Sequence, residues 1–180
     1  METGKDERRW YVLRDLRRAN AREAAYGELL QAGLEVFTPL REQVAVRSGR
    51  RIREEVPLVR DLLFARALRE ELDPEVGKRR TLQYRYVKGG SYREPMTVPE
   101  REMDRFIRAV NVSARPRYYL PGELTAGMCG RMIRMVGGPL DGYEGRLLTI
   151  RGSKTRRLLV ELSGFFSVGV EIETEWICVL

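Results

Sequence analysis

The first residues of the chain alternate between short apolar runs and amphipathic stretches, as in a mixed α and β domain. Trp10-Tyr11-Val12-Leu13 is a continuous apolar run, typical of a strand that is covered on both faces. Residues 20–33 then follow a helical period, with Asn20 placed to cap the helix and Gly33 placed to end it. The pattern predicts a strand followed by a helix.

A polar hairpin with a basic tip is predicted next. Val44 and Val46 lie on the outgoing strand, Ser48-Gly49 forms the tip, and Ile52 lies on the returning strand. Leu62-Leu63-Phe64-Ala65 is a second apolar run of the buried type. A short acidic helix and a third, alternating strand are predicted after it.

The clearest helical pattern begins after Thr97. Thr97 and Glu100 have the spacing of a capping box, and four apolar residues then recur at helical intervals, namely Met103, Phe106, Ile107 and Val110. Residues 1–113 are therefore predicted to form an α+β domain, in which helices flank one mostly antiparallel sheet.

Beyond this helix the pattern changes to strands alone. Pro116 and Pro121 interrupt residues 114–121, which we expect to be a linker. Residues 122–180 contain short apolar runs separated by glycine-bearing turns, a spacing that predicts a small all-β barrel. Phe165 and Phe166 cannot both face inward from a regular strand, so either one of them anchors a partner or a bulge buries both.

The residue types present exclude most enzyme classes. The chain has no histidine, which removes Ser-His and Cys-His nucleophilic pairs and the commonest metal ligand. Its two cysteines, Cys129 and Cys178, have no CxxC spacing, and no carboxylates cluster in an apolar frame. We therefore expect a protein that is not an enzyme and that uses neither a metal nor a cofactor.

The charge of the chain favours an anionic partner. The formal net charge is +7, and arginine supplies 29 of the 33 basic residues, because only four of them are lysines. One guanidinium group can bind two phosphate oxygens at once, which favours a partner that contains phosphate. A GC-rich genome is the alternative explanation of the high arginine content. Residues 1–113 carry 24 basic and 19 acidic residues, against 9 and 7 in residues 114–180. No apolar stretch is long enough to cross a membrane, so we expect a cytoplasmic protein. We also expect it to be a monomer.

Residues 130–145 place glycines where a strand reverses tightly and then packs beside its neighbour. This segment resembles the KOW motif, although an unrelated SH3-like barrel with similar turns would look the same. The matching residues are Gly130, Ile133, Arg134, Gly138, Pro139, Gly142 and Gly145.

KOW barrels occur both in ribosomal proteins and in transcription factors, and the sequence of the first domain distinguishes these two classes. Trp10-Tyr11-Val12 and the segment 57–66 resemble the N-terminal (NGN) domain of the NusG family. Residues 59–62 depart from the housekeeping pattern, which favours a specialised paralogue. Residues 62–66, 84–87 and 98–107 are most similar to the UpxY antiterminators of polysaccharide operons.

The resemblance implies that the first domain binds the clamp helices of RNA polymerase and suppresses pausing and termination. The residues that match the polymerase-facing segment are Tyr11, Leu58, Leu62 and Phe64. Plain membership of the hydrophobic core is the alternative for each of them. An exposed apolar patch would mark a docking face.

A second candidate surface is a basic corner where the first strand meets the first helix, formed by Arg14, Arg17, Arg18 and Arg22. Guanidinium groups beside a helix N-terminus attract phosphate. In the family that this chain resembles, the corner faces the non-template DNA strand. A solvated charged face is the alternative.

The KOW barrel of housekeeping relatives recruits the termination factor Rho or a small-subunit ribosomal protein, so either is an expected partner. An operon-specific antiterminator is the function that the resemblance implies. The alternative is a ribosome-associated RNA-binding protein that uses the barrel on ribosomal RNA.

Overall fold

The apolar run at residues 10–13 forms the middle of β1 (Arg9–Asp15), the central strand of the first sheet. The side chains of Trp10, Val12 and Leu13 are almost completely buried. This computed structural model describes residues 7–17, 24–162 and 164–180. Its chain divides into two compact units, residues 1–100 and 101–180.

The first sheet is antiparallel and has the order β2-β5-β1-β6, with β7 also paired to β1. The strands that flank β1 are β2 (Glu35–Phe37), β5 (Leu63–Ala67), β6 (Leu82–Tyr84) and β7 (Thr97–Val98). Within the described part of this unit, the helices are α1 (Ala25–Gln31) and α2 (Arg69–Lys78). The proposed Asn20 cap lies outside the described residues.

One hydrophobic cluster joins the sheet to these two helices. It contains Tyr11, Leu13 and Leu63 from the sheet, Leu29 from α1 and Leu72 from α2, all of them buried. Since alternate residues of a strand face opposite sides, Val12 and Phe64 lie on the other face of the sheet. Both are fully buried as well.

The predicted hairpin is confirmed as a two-stranded sheet of its own. Its strands are β3 (Leu40–Arg47) and β4 (Arg50–Pro57), which pair along their full length. Ser48 and Gly49 both have positive φ, at 50° and 75°, as a two-residue hairpin turn requires. Val44 and Val46 are 62% and 68% exposed, so the hairpin presents apolar side chains to solvent.

The second unit contains α3 (Glu100–Val112) from Arg101 onward and a six-stranded antiparallel sheet of order β13-β9-β10-β11-β12-β8. Met103, Phe106 and Ala109 are the buried residues of α3. The six strands are β8 (Arg117–Tyr119), β9 (Cys129–Met135), β10 (Glu144–Leu148), β11 (Arg157–Leu162), β12 (Phe166–Glu171) and β13 (Ile177–Val179).

The glycines of residues 130–145 are required by the backbone. Gly138 and Gly142 have φ of +70° and +77° in the turn between β9 and β10. A Cβ on Gly145 would lie 2.4 Å from the carbonyl oxygen of Leu159 on β11, and one on Gly130 would lie 2.9 Å from that of Leu147. Only glycine allows these strands to approach so closely.

The predicted fold class, an α+β domain followed by a small KOW-like β domain, is confirmed. One local prediction is wrong, because Thr97 lies in β7 and α3 begins at Glu100, three residues beyond the predicted cap. β8 lies inside residues 114–121, the segment predicted to be a linker, and pairs with β12. The domain boundaries themselves stay a prediction.

No helix among the described residues is long and apolar enough to cross a membrane.

Candidate functional site

Two of the four apolar residues predicted to bind polymerase, Tyr11 and Phe64, lie on opposite faces of the first sheet. Tyr11 belongs to the cluster under α1 and α2, and its ring meets the Tyr84 ring edge-on at 5.8 Å. Phe64 lies on the opposite face, with its ring centroid 6.4 Å from that of Phe37. The four residues therefore do not share one face.

Their burial separates one of the four from the others. Tyr11, Leu62 and Phe64 are at most 6% exposed, whereas Leu58 is only half-buried. Leu58 follows directly after β4, and its backbone N–H donates to the carbonyl oxygen of Pro39 over 2.8 Å. Among these residues Leu58 is the one that an incoming partner can reach without a rearrangement.

The face that carries Val12 and Phe64 also carries a small charged group. Arg14 of β1 forms an ion pair with Asp61 at 3.4 Å, and Arg85 approaches the same carboxylate to 4.0 Å. Arg14 is 45% exposed and Arg85 33% exposed. Two guanidinium groups thus share one carboxylate, which leaves net positive charge on this surface. We call Arg14, Asp61 and Arg85 the arginine pair site.

The second predicted arginine, Arg17, is held in a network of ion pairs. Its two terminal nitrogens donate to the two carboxylate oxygens of Glu28, each over 2.7 Å. Arg79 donates to Glu28 and to Glu75, again over 2.7 Å. The Arg17 side chain is only 19% exposed. This guanidinium joins the end of β1 to Glu28 of α1, and Glu28 also binds Arg79 at the end of α2. The hydrogen-bonding groups of Arg17 are thus directed at protein.

The pKa of Glu28 reflects this network. The hydrogen bond from Arg17, followed by that from Arg79, lowers the pKa of the carboxyl to about 2 against the opposing effect of burial. Hydrogen bonds from Lys78 and Arg79 likewise lower the pKa of Glu75. Both carboxylates are therefore charged at neutral pH.

Arg18 and Arg22, the other two predicted members of the basic corner, lie outside the described residues. The residues on either side of that segment are joined by Asp15, a buried carboxylate. Asp15 accepts hydrogen bonds from the backbone N–H groups of Arg17, at 3.1 Å, and Ala25, at 2.9 Å. The basic corner is thus represented by Arg14 and Arg17 alone.

The KOW-type residues serve the packing of the second unit. Ile133 is 1% exposed in the core, and Arg134 forms an ion pair with Glu144 across the β9-β10 pair. The carbonyl oxygen of Pro139 accepts a hydrogen bond from Arg108 of α3 at 3.2 Å. The ring of Tyr143 lies 4.9 Å from the guanidinium of Arg105. Phe166 is buried and Phe165 is half-buried.

Sequence reasoning missed Asp61 and Arg85. Asp61 lies in the NGN-like segment 57–66 and Arg85 in the UpxY-like segment 84–87, but the resemblance gave neither residue a role. They meet Arg14 only because β5 and β6 flank β1. The one signal available was the position of Asp61, which directly precedes Leu62 in the segment predicted to face polymerase. Among the described residues, no three His, Cys, Asp or Glu side chains are grouped as metal ligands.

Comparison with known proteins agrees with this architecture. The family described as "Transcription termination factor nusG" matches residues 8–107, more than half of the chain. None of the curated proteins matches significantly. The chain is similar to the solved structure "Domain interaction in Thermotoga maritima NusG", with a TM-score of 0.52 and 16% identity over 97% of this chain and 98% of that chain. The chain belongs to the NusG family of transcription factors.

Proposed function

We propose that this protein is an elongation and antitermination factor that docks on RNA polymerase and contacts the non-template DNA strand. The NusG family is a family of non-enzymatic transcription factors, and its proteins bind RNA polymerase. The observation that carries the proposal is the family match over residues 8–107, which include the whole first sheet. Suppression of pausing and termination is the expected activity.

Docking on the clamp helices of polymerase is assigned to Leu58, Leu62, Phe64 and Tyr11. Leu58 supports this role most directly, because it is half-buried at the end of the hairpin. Leu62 precedes β5, and Phe64 lies within it. Since the other three side chains are buried, a polymerase contact through them requires that part of this surface opens.

Contact with DNA is assigned first to the arginine pair site. Arg14 is the most exposed of the described arginines in the predicted corner, and a phosphate would compete with Asp61 for its guanidinium. Arg17 contributes to the positive field, while its hydrogen bonds keep α1 in place. Arg18 and Arg22 are assigned to the same DNA contact on the basis of the sequence alone.

Operon-specific action, as in the UpxY antiterminators of polysaccharide operons, is part of the proposal. It is supported by the resemblance of residues 62–66, 84–87 and 98–107 to that subfamily. The second unit is proposed to bind Rho or a small-subunit ribosomal protein. Phe165, which directly precedes β12, is the candidate anchor.

Affinity purification of the tagged chain from cell lysate, followed by mass spectrometry, tests the proposal. Polymerase subunits should be enriched, and Leu58→Asp should reduce that enrichment at least tenfold while the protein stays folded by circular dichroism. Leu30→Asp is the matched control, because Leu30 is exposed on α1 at 51%. Enrichment of ribosomal proteins in place of polymerase would instead identify a ribosome-associated protein.

Terminator readthrough provides the functional measurement. In a transcription assay, the wild-type chain should increase the fraction of transcripts that extend beyond a terminator, and Leu58→Asp should remove that increase. Readthrough that is the same with and without the wild-type chain on every template of its own operon would contradict antitermination.

A further inference from the structure

The segment between β6 and β7, residues 86–95, is a closed turn to which the proposed function assigns no contact. We call it the tyrosine loop. Its ends are joined by an isolated bridge between Tyr86 and Pro95 and by a hydrogen bond from the Val87 N–H to the Glu94 carbonyl oxygen at 3.0 Å. The Glu94 carboxylate accepts from the Ser91 N–H at 3.1 Å, and the Glu94 N–H donates to the Ser91 carbonyl oxygen at 3.1 Å.

The loop presents an aromatic ring to solvent. Tyr92 is 88% exposed, more than any other large hydrophobic residue that the structure describes. The guanidinium carbon of Arg93 lies 5.4 Å from the centre of the Tyr92 ring. Arg93 has φ of 52°, in the left-handed region that a residue with a side chain rarely adopts. The turn thus holds a cation beside an exposed ring at some conformational cost.

The charge around this ring is positive. Lys88 and Arg93 form no ion pair with any residue in the described ranges, and both are exposed. The only acidic residue of the loop, Glu94, is bound inside the turn by Ser91. Arg93 beside the exposed ring and Lys88 on the same loop are therefore available to an anionic ligand.

We propose that the tyrosine loop binds single-stranded nucleic acid, with a base stacked on Tyr92 and the adjacent phosphates near Lys88 and Arg93. An exposed aromatic ring beside unpaired basic side chains is the arrangement that binds single strands without reading their sequence. A duplex does not fit this role, because its bases are already stacked on one another. The inference requires no polymerase, so it can be tested on the free chain.

Binding of a fluorescent oligothymidine strand to the full chain, followed by fluorescence anisotropy, tests the loop. Tyr92→Ala should weaken the affinity by about tenfold, since stacking of one base on an aromatic ring has an effect of this order. Tyr92→Phe keeps the ring and should bind within about twofold of the wild type. Leu30→Ala, which removes an exposed apolar side chain from α1, should leave the affinity unchanged.

Arg93→Gly tests the cation separately. Glycine adopts a positive φ easily, so the turn is kept while the guanidinium is removed. The affinity should fall, and the slope of log affinity against log salt should become shallower by about 0.7, the value for one phosphate contact on a single strand.

Several results would overturn the proposal. These are equal affinity of Tyr92→Ala and the wild type, equal loss in Tyr92→Phe and Tyr92→Ala, or no binding of the single strand by the wild-type chain. If Tyr92→Ala instead lost polymerase in the affinity purification and kept its oligonucleotide affinity, the loop would be a protein contact. Polymerase capture by the wild type is recorded in parallel, so failure of the loop and failure of the proposed function are distinguishable.

Discussion

At the scale of single residues, Glu28 does more for the first unit than its sequence position indicates. It lies on α1 and holds Arg17 next to β1 and Arg79 at the end of α2. Such bonds between charged partners are stronger than neutral ones, and loss of one partner leaves the others without a counter-charge. Helical patterning alone describes Glu28 as a solvent-facing residue.

We predict that Glu28→Gln lowers the free energy of unfolding by about 2 kcal/mol at neutral pH. The carboxyl has a pKa depressed from 4.5 to about 2, so its contribution is present above the unfolded pKa. That contribution is lost as the pH falls from about 4.5 to about 2, and the difference from the wild type should shrink over this interval. Urea unfolding at several pH values measures the difference in unfolding free energy between Glu28→Gln and the wild type. Glu70→Gln, at an exposed position of α2, is the control. A penalty independent of pH would contradict the prediction.

Gly145 provides a second test at this scale. A methyl group there would meet the carbonyl oxygen of Leu159 at 2.4 Å and Leu158 at 2.9 Å. We expect Gly145→Ala to destabilise the protein by about 1–3 kcal/mol, because β10 and β11 must separate to admit it. Gly127 has free space around it, and Gly127→Ala should leave thermal unfolding unchanged. Equal melting temperatures for the two variants would show that the close approach of these strands is not required.

At the scale of elements, α3 is joined to the glycine-rich turn of the second unit. Phe106 is fully buried and meets the Phe166 ring edge-on at 5.3 Å. The Tyr143 hydroxyl donates to the Arg105 carbonyl oxygen at 3.0 Å, and the Arg105 guanidinium donates to the Glu144 carbonyl oxygen. From the sequence pattern we predicted that this helix belongs to the first domain. An amphipathic pattern shows that a helix is packed on one face, but it does not reveal which strands the helix contacts.

We therefore predict that Phe106→Ala destabilises the chain by about 3–5 kcal/mol, as expected for a fully buried aromatic residue. Val112 lies on the same helix and is 42% exposed, so Val112→Ala should have little effect. Thermal unfolding followed by circular dichroism compares the two. If Phe106→Ala lowered the free energy of unfolding by less than about 1 kcal/mol, the packing of Phe106 against Phe166 would be contradicted.

Elements with a clear apolar pattern were predictable from the sequence, including the three-residue strand β6, whereas the strands β8 and β13 and the contacts between distant residues were not. The hairpin and the apolar core of β1 follow from alternation and turn chemistry. β8 and β13 have three residues each and do not alternate between apolar and polar residues, and they form because longer strands present free edges. The partner of Arg17 was likewise hidden, because Glu28 follows eleven residues later and only the fold brings them together.

At the scale of the whole molecule, the positive charge is unevenly distributed along the chain. Residues 1–113 hold 24 of the 33 basic residues, and the arginine pair site lies among them. Binding to nucleic acid releases counter-ions, so recruitment that depends on DNA weakens as salt is raised. The salt dependence of binding therefore distinguishes a contact with DNA from an apolar contact with polymerase in the same complex.

We predict that Arg14→Gln reduces the salt dependence of binding to elongation complexes that contain a non-template strand. The slope of log affinity against log salt should become shallower by about 0.7, as for one lost phosphate contact. Arg47→Gln, on the hairpin, is a control of equal charge change. An unchanged slope for Arg14→Gln would remove this residue from the DNA contact.

The hairpin formed by β3 and β4 has a length that is independent of the first sheet. Its strands pair only with each other in the sheet pattern, so the first sheet does not fix how many residues they contain. Adding two residues to each strand would extend the hairpin by about 7 Å and keep every side chain on its original face. The segment between Val44 and Arg53, with four arginines and no acidic residue, could therefore be carried farther outward or drawn back by paired insertions and deletions, while the core of the fold stays the same.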